Sequence, residues 1–367
     1  MIGPFANESR LTELKLGQTF DLTPRYGGTW SAGYALHHFS VAYDEASILR
    51  SPYHGAWRSL QLDVFGQYDT DALRPVALAL GLRSHVFSQG RFVRWSPRVQ
   101  ARFFAARPVS AGIGLSRNYQ FVHRLGLPNA ASPDVWVMST SEQPPAGVDN
   151  MTGGVYVKMG RAVFAQAEVY AKWHHNLRQH ETSVSRTRTG SLLLAPWMHD
   201  NTAFARGLEV MVRSRLGPLQ WTNSYTLSRV EIRNAALDGG QPFRADWDRT
   251  HQLTSYVEAA LANGVSANAA WLFATGSPNP LAAADASEAA TLPVYHRLDL
   301  SLSYRRALGH VTLVARAALF NVYDRANTWY RSPVVVPGTT RPPRPTTVNV
   351  DVYDLGLQPS FALTVGF

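Results

Sequence analysis

Leu357-Gln358-Pro359-Ser360-Phe361-Ala362-Leu363-Thr364-Val365-Gly366-Phe367 closes the chain. At a period of two, Leu357, Phe361, Leu363, Val365 and Phe367 share one face, and Gln358, Ser360, Thr364 and Gly366 share the other. A strand that is apolar on one side, small or polar on the other, and ends on an aromatic suits a barrel wall with lipid outside and water inside. Chain ends in soluble proteins are usually frayed and polar.

The same periodicity runs upstream. In residues 59–68, Leu60, Leu62 and Val64 alternate with Gln61, Asp63, Phe65 and Gln67. Val93, Trp95, Val99 and Phe103 oppose Arg94, Ser96, Arg98, Gln100 and Arg102, and Val163, Ala165, Ala167, Val169 and Trp173 oppose Gln166, Glu168, Tyr170 and Lys172. Leu298, Leu300, Leu302 and Tyr304 oppose Arg297, Asp299, Ser301, Ser303 and Arg305. A soluble sandwich would turn its apolar face inward. A single layer with so many charges on its second face points to an all-β transmembrane antiparallel barrel. Residues 30–43 and 112–121 alternate less cleanly, and their faces are unassigned.

Strands are expected near 9–22, 29–43, 59–69, 75–87, 92–105, 110–122, 150–159, 162–175, 204–215, 219–233, 251–261, 265–276, 295–305, 310–323 and 355–367. Short connections at 106–109, 160–161, 216–218, 262–264 and 306–309 alternate with long ones at 123–149, 176–203, 234–250, 277–294 and 324–354. Bacterial outer-membrane barrels show that alternation, with the short turns periplasmic.

Composition agrees with this class. No run of eighteen apolar residues occurs in the 367, which excludes a helical membrane protein. Trp and Tyr are plentiful near strand ends, where membrane interfaces favour amphipathic rings. The absence of cysteine fits an oxidising compartment. The net charge of +9 rests almost wholly on arginine, because the only lysines are Lys15, Lys158 and Lys172. It reads either as attraction to anionic ligands and lipopolysaccharide or as Arg-rich loops and lumen. Basic residues are dispersed, which argues against nucleic acid as a partner.

An odd strand count has a consequence. If Phe367 lies on the periplasmic side, the first strand begins on the other, whereas single-chain bacterial barrels have even counts. Residues 1–10 also carry no basic region followed by an apolar core. The expectation is a carboxy-terminal part of a longer protein, cut at an internal methionine.

Several residue sets carry possible chemistry. Arg94, Arg98, Arg102, Glu168, Lys172, Glu209, Arg213, Arg297 and Asp299 are candidate lumen-lining residues, either guiding an anionic substrate or pairing with adjacent strands. His174, His175 and His180 are weighed as metal ligands, but His174 and His175 point to opposite faces of a strand, so no metal site or cofactor is assigned. Asp246, Asp248, Arg249 and His251 are read as hydrogen-bonding partners that settle a loop onto the barrel rim. A Ser and a His on facing strands with an orienting polar residue would make a nucleophile. No local motif places such a set, so an enzyme is not expected.

An ordered series of segments resembles the barrel of TonB-dependent outer-membrane receptors. It comprises Trp95–Val99, Pro133–Trp136, Gln143–Pro145, Ala167–Lys172, Ala205–Glu209, Ser224–Ser228, Asp246–His251, His296–Leu300, Asn321–Asp324 and the terminal Phe367. The resemblance implies a barrel of about 22 strands with an amino-terminal plug inside it. Here about fourteen or fifteen strands form one partial barrel domain over 1–367, without plug or TonB-contacting segment. It further implies location in the bacterial outer membrane, contact with lipid and lipopolysaccharide, and uptake of a siderophore, cofactor or other scarce nutrient. TonB would be engaged only through the missing amino-terminal part. Phe361, Leu363, Val365 and Phe367 would form the signal read by the barrel-assembly machinery. A passive porin-like channel and a surface ligand-binding barrel are the alternative readings.

Overall fold

A computed structural model describes residues 6–25, 27–47, 50–104, 107–125, 135–186, 192–235, 240–261, 263–279, 290–336 and 346–366. Among them no helix is long and apolar enough to cross a membrane. The first strands are β1 (Ala6–Leu22), β2 (Thr29–Ser47), β3 (Arg50–Thr70), β4 (Val76–Phe87), β5 (Phe92–Phe103) and β6 (Val109–Gln120). A short pair follows, β7 (Val122–Leu125) and β8 (Val135–Met138), before β9 (Ala146–Met159), β10 (Val163–Arg186), β11 (Leu192–Leu216) and β12 (Leu219–Arg233). Then come β13 (Phe243–Arg244), β14 (His251–Ala260), β15 (Val265–Ala274), β16 (Tyr295–Leu308) and β17 (Val311–Phe320). Finally β18 (Thr328–Val336) and β19 (Thr346–Tyr353) precede β20 (Gln358–Gly366).

One sheet runs β1-β2-β3-β4-β5-β6-β9-β10-β11-β12-β14-β15-β16-β17-β20, with β13 paired to β12 off this path. These fifteen path strands are the fifteen expected from period two. The long connections differ from expectation. Residues 176–203 are largely strand, because β10 continues to Arg186 and β11 starts at Leu192. Three of the other four long connections contain β7–β8, β13 and β18–β19, and 277–294 carries a single bridge between Pro278 and Thr291 among its described residues. Thr182, Val184 and Ser185 suit extended backbone as well as a loop, so composition alone does not separate the two.

Contacts divide the chain into two compact units, residues 1–153, 170–205 and 231–243, and residues 154–169, 206–230 and 244–367. In the first, Leu16, Leu36, Leu62, Val86 and Val93 stand opposite one another across β1 to β5. They are 39–67% exposed. One residue along, the other face carries the row Gly17, Ala35, Asp63, His85 and Arg94. Residues 30–43 now have a face: Trp30, Tyr34 and Leu36 are exposed, while Phe39 and Val41 are buried. Phe39, Val41 and Phe87 lie at alternate positions to the exposed row and form an apolar cluster with Phe121 and Met138. Trp136 of β8 packs against this cluster, and its backbone N–H donates to Ser9 Oγ of β1 at 3.0 Å. The connection after β6 therefore folds back over the polar side of β1 and β2. Each buried large side chain contributes about 1.5–3 kcal/mol, enough to hold a short hairpin there.

In the second unit the exposed face carries Leu300, Leu302 and Leu319 with Phe361, Leu363 and Val365 of β20. The fully buried Asn321, at φ 53°, shapes the chain leaving β17. Its side-chain amide donates to the carbonyls of Arg325 and Leu355, both at 3.0 Å, and its Oδ1 accepts from the Arg325 N–H at 3.3 Å. Asparagine tolerates the left-handed region and offers both donor and acceptor.

The β18–β19 ribbon, outside the main sheet, is tied by Arg331, whose guanidinium donates to both oxygens of Asp351 at 2.5 and 3.0 Å. That hydrogen bond holds the Asp351 carboxyl below its ordinary range, against the opposing effect of burial. A carboxylate with a depressed folded-state pKa stabilises above its unfolded value, about 4, and loses that contribution as pH falls through the folded value. Amide protection in β18 and β19 is expected to be flat above about pH 4 and to fall in more acidic solution. Hydrogen exchange compared with Asp351→Asn, which removes that pH dependence, checks this.

Candidate functional site

On the face opposite the exposed apolar row, five polar side chains from five adjacent strands form a ladder. Glu13 Oε1 of β1 lies 2.7 Å from His37 Nδ1 of β2, and His37 Nε2 lies 3.8 Å from Asp63 Oδ2 of β3. Asp63 Oδ1 accepts from His85 Nδ1 of β4 at 2.8 Å and from Gln61 Nε2 at 2.9 Å. His85 Nε2 is 3.0 Å from Ser96 Oγ of β5. Register explains the order. Asp63 stands directly opposite His85, and His85 opposite Arg94, so Ser96, two residues farther on, is its diagonal neighbour on the same face.

Asp63, His85 and Ser96 are only 6%, 6% and 9% exposed. Burying such groups unpaired costs several kcal/mol, so the contacts are obligatory. An ionised carboxylate only accepts, which fixes the proton of neutral His85 on Nδ1. Nε2 is then left to accept from the Ser96 hydroxyl.

Arginines surround this ladder. A cavity of about 260 Å³ is lined by His85, Ser96, Arg83, Arg98, Arg117 and Tyr119, among others. A second, of about 220 Å³, is lined by Arg94, Arg117, Tyr119 and His175. Arg83 lies over the Phe65 ring at 5.1 Å, and Arg94 over Phe92 and Tyr119 at 5.0 and 6.0 Å. Arg117 grips Asp149 through both oxygens at 2.5 and 2.7 Å, and His175 Nε2 lies 3.2 Å from the same carboxylate. Planar guanidinium groups set beside aromatic rings can take a carboxylate or another delocalised anion in two-point contact.

Of the expected residues, Arg94 and Arg98 line these cavities. Arg102 lies farther along β5, opposite Ala77 and Gly112. Glu168 accepts from the Tyr156 hydroxyl at 2.7 Å and lies over Gly154, where a Cβ would come within 2.7 Å of its Cγ. Lys172 sits over the Tyr170 ring at 5.0 Å. Glu209 and Arg213 are exposed on β11. Arg297 and Asp299 are joined at 3.0 Å, and Arg297 also takes in the Tyr295 hydroxyl at 2.9 Å and the Phe320 ring at 3.8 Å. Asp299 accepts the Asn321 N–H at 2.9 Å, so this pair anchors the turn after β17.

His174 is half-buried and His175 is engaged by Asp149, while the side chain of His180 lies outside the described residues. No group of three metal-ligating side chains occurs among the described residues. Phe361, Leu363 and Val365 are exposed, and Phe367 lies outside the described residues. The spacing reading missed Asp63, His85 and Ser96 as a set, together with Glu13, His37, Arg83 and Arg117.

No protein-family model and no curated protein matches this chain. Solved structures do. The ferric yersiniabactin uptake receptor FyuA from Yersinia pestis aligns with a TM-score of 0.67 at 12% identity, covering 98% of this chain and 55% of that one. A mutant of the ferric enterobactin receptor PfeA from Pseudomonas aeruginosa gives 0.63 at 14%, covering 87% and 49%. The siderophore receptor PirA from Pseudomonas aeruginosa gives 0.59 at 15%, covering 86% and 54%. This chain spans about half the length of those receptors. At such identities the likeness is one of fold: the sheet has the architecture of siderophore-receptor barrels.

The loop residues at 246–251 also have defined contacts. Asp248 is 1% exposed and accepts from the Val230 N–H at 3.0 Å and Arg244 Nε at 2.8 Å. Tyr225 Oη lies 2.8 Å from His251 Nδ1, and the Ser228 hydroxyl donates to the Arg249 carbonyl at 2.9 Å. Asp248→Ala is expected to cost about 3 kcal/mol locally. Hydrogen exchange should show faster exchange at Val230 and Ala245, with β15 to β17 unchanged.

Proposed function

We propose that this chain is the barrel wall of an outer-membrane receptor that takes up a siderophore or another scarce chelated nutrient. One observation carries the reading: rows of exposed Leu, Val, Trp and Phe alternate, residue by residue, with rows of polar and charged side chains on the same strands. Apolar patches above a few hundred Å² do not persist in water without a partner. Hydrocarbon covers all the exposed rows at once, and solvent fills the other side. The fold shared with FyuA, PfeA and PirA supports the receptor assignment over other barrels.

In this reading residues 1–367 belong to a single barrel domain, and the plug and TonB-contacting segment lie elsewhere in the protein. TonB supplies the energy through that segment, and this chain supplies the wall and part of the ligand surface. The role is transport and binding. Phe361, Leu363, Val365 and Phe367 present the closing strand to the barrel-assembly machinery and then to lipid. Arg94, Arg98 and Arg117 face the ligand, because cavities lined with guanidinium groups suit an anionic ferric complex.

The test is binding by the full chain refolded into detergent micelles, followed through tryptophan fluorescence with a panel of ferric and iron-free siderophores. Ferric complexes should quench, and an Arg98→Gln/Arg117→Gln double variant should weaken binding about tenfold or more, the weight of one charge-assisted contact. Equal affinity of that variant and the parent chain, or no response to any ferric complex, would overturn the ligand assignment.

A further inference from the structure

Asp63, His85 and Ser96 do more than satisfy one another. The carboxylate accepts from His85 Nδ1 at 2.8 Å, and the far nitrogen, Nε2, faces Ser96 Oγ at 3.0 Å. That is the order of contacts through which a serine hydroxyl is activated: an acid fixes the imidazole tautomer, and the imidazole takes the hydroxyl proton. Three rigid, hydrogen-bonded strands hold the groups, so the geometry does not depend on a loop. His85 and Ser96 both line the cavity of about 260 Å³ that also presents Arg83, Arg98 and Arg117. Behind the acid, His37 and Glu13 continue the ladder, and Gln61 gives Asp63 a second donor.

We infer that Ser96 is the nucleophile of an ester-cleaving site on this face, with His85 as general base and Asp63 as its positioning residue, for esters carrying negative charge. Ser96 Oγ attacks the ester carbonyl carbon while its proton passes to His85 Nε2. The carbon–oxygen bond to the alcohol breaks, and the alcohol leaves with that proton. Water then attacks the acyl group on Ser96, giving a proton to His85, and Ser96 recovers it as the carboxylic acid departs. Around Ser96, β5 pairs with β4 in unbroken register, with Ser96 opposite Arg83. Negative charge developing on the carbonyl oxygen falls to the guanidinium group of Arg98, which lines the same cavity and also selects the anionic substrate, while Arg117 beside it is committed to Asp149. This inference stands apart from the uptake reading, because the site would cleave an ester whether or not the barrel carries a ligand.

The full chain, refolded in detergent and shown to be β-structured by circular dichroism, is incubated with a fluorophosphonate probe. Mass spectrometry should find the probe on Ser96. Labelling should vanish in Ser96→Ala and slow by about a hundredfold or more in His85→Ala and Asp63→Asn. A nitrophenyl ester with a terminal carboxylate should be hydrolysed faster than its neutral counterpart, with the preference reduced in Arg98→Gln. Refolded parent chain that takes up no more probe than Ser96→Ala would overturn the proposal and leave the ladder as wall support. Equal rates on the charged and neutral esters would overturn the substrate class.

Discussion

Backbone hydrogen bonding between antiparallel neighbours is the constraint on which this molecule rests. A strand facing hydrocarbon has no water to satisfy its N–H and C=O groups, so each must find a partner in the strand beside it. That requirement fixes long in-register ladders, such as Trp30–Tyr43 against Gly55–Tyr68, and forces side chains alternately to opposite faces. Everything chemical about the chain follows from having two faces that differ by a single step. Leu62 and Asp63 are adjacent in sequence, yet one joins an apolar row across five strands and the other a buried ion–imidazole pair.

The polar face is not uniformly wet. Phe39, Val41 and Phe87 occupy polar-side positions and are buried beneath the β7–β8 pair. Next to them, Asp63, His85 and Ser96 are nearly closed to solvent, while the ladder ends at the part-buried His37 and the exposed Glu13. Apolar cover and charge are therefore complementary: the folded-back connection lowers solvent access, and reduced access makes each hydrogen bond in the ladder matter more. The arginines lie where solvent and cavities begin, at Arg98, Arg94 and Arg117. In the second unit the same logic appears as Arg297–Asp299, which ties a strand end to the turn at Asn321.

Much of the fold was legible in the sequence because period-two alternation is local: Leu60 to Gln67 declares its faces without knowledge of any partner. The face of residues 30–43 was not legible, since Phe39 and Val41 break the rule by packing under a hairpin formed much later in the chain. The ladder was half legible. The connection after β4 pairs Phe87 with Phe92, and that hairpin alone brings His85 and Ser96 to one face. The pairing of Asp63 with His85 depends on the register across the β3–β4 connection, which no residue type there dictates. The long loops misled for a different reason: the segment after Asn176 is as polar as a loop, and the apolar stretch before Asn201 is interrupted by Pro196, a residue that argues against a central strand.

The alternation of environments is open to direct measurement. Single nitroxide labels placed in turn at positions 60 to 67 of the refolded chain in lipid vesicles would be probed with oxygen and with a water-soluble nickel complex. Accessibility to oxygen should peak at 60, 62, 64 and 66, and accessibility to the nickel complex should never peak at those positions. Profiles that rise and fall together, or apolar positions open to the aqueous reagent, would show that these rows do not meet lipid and would contradict the membrane assignment.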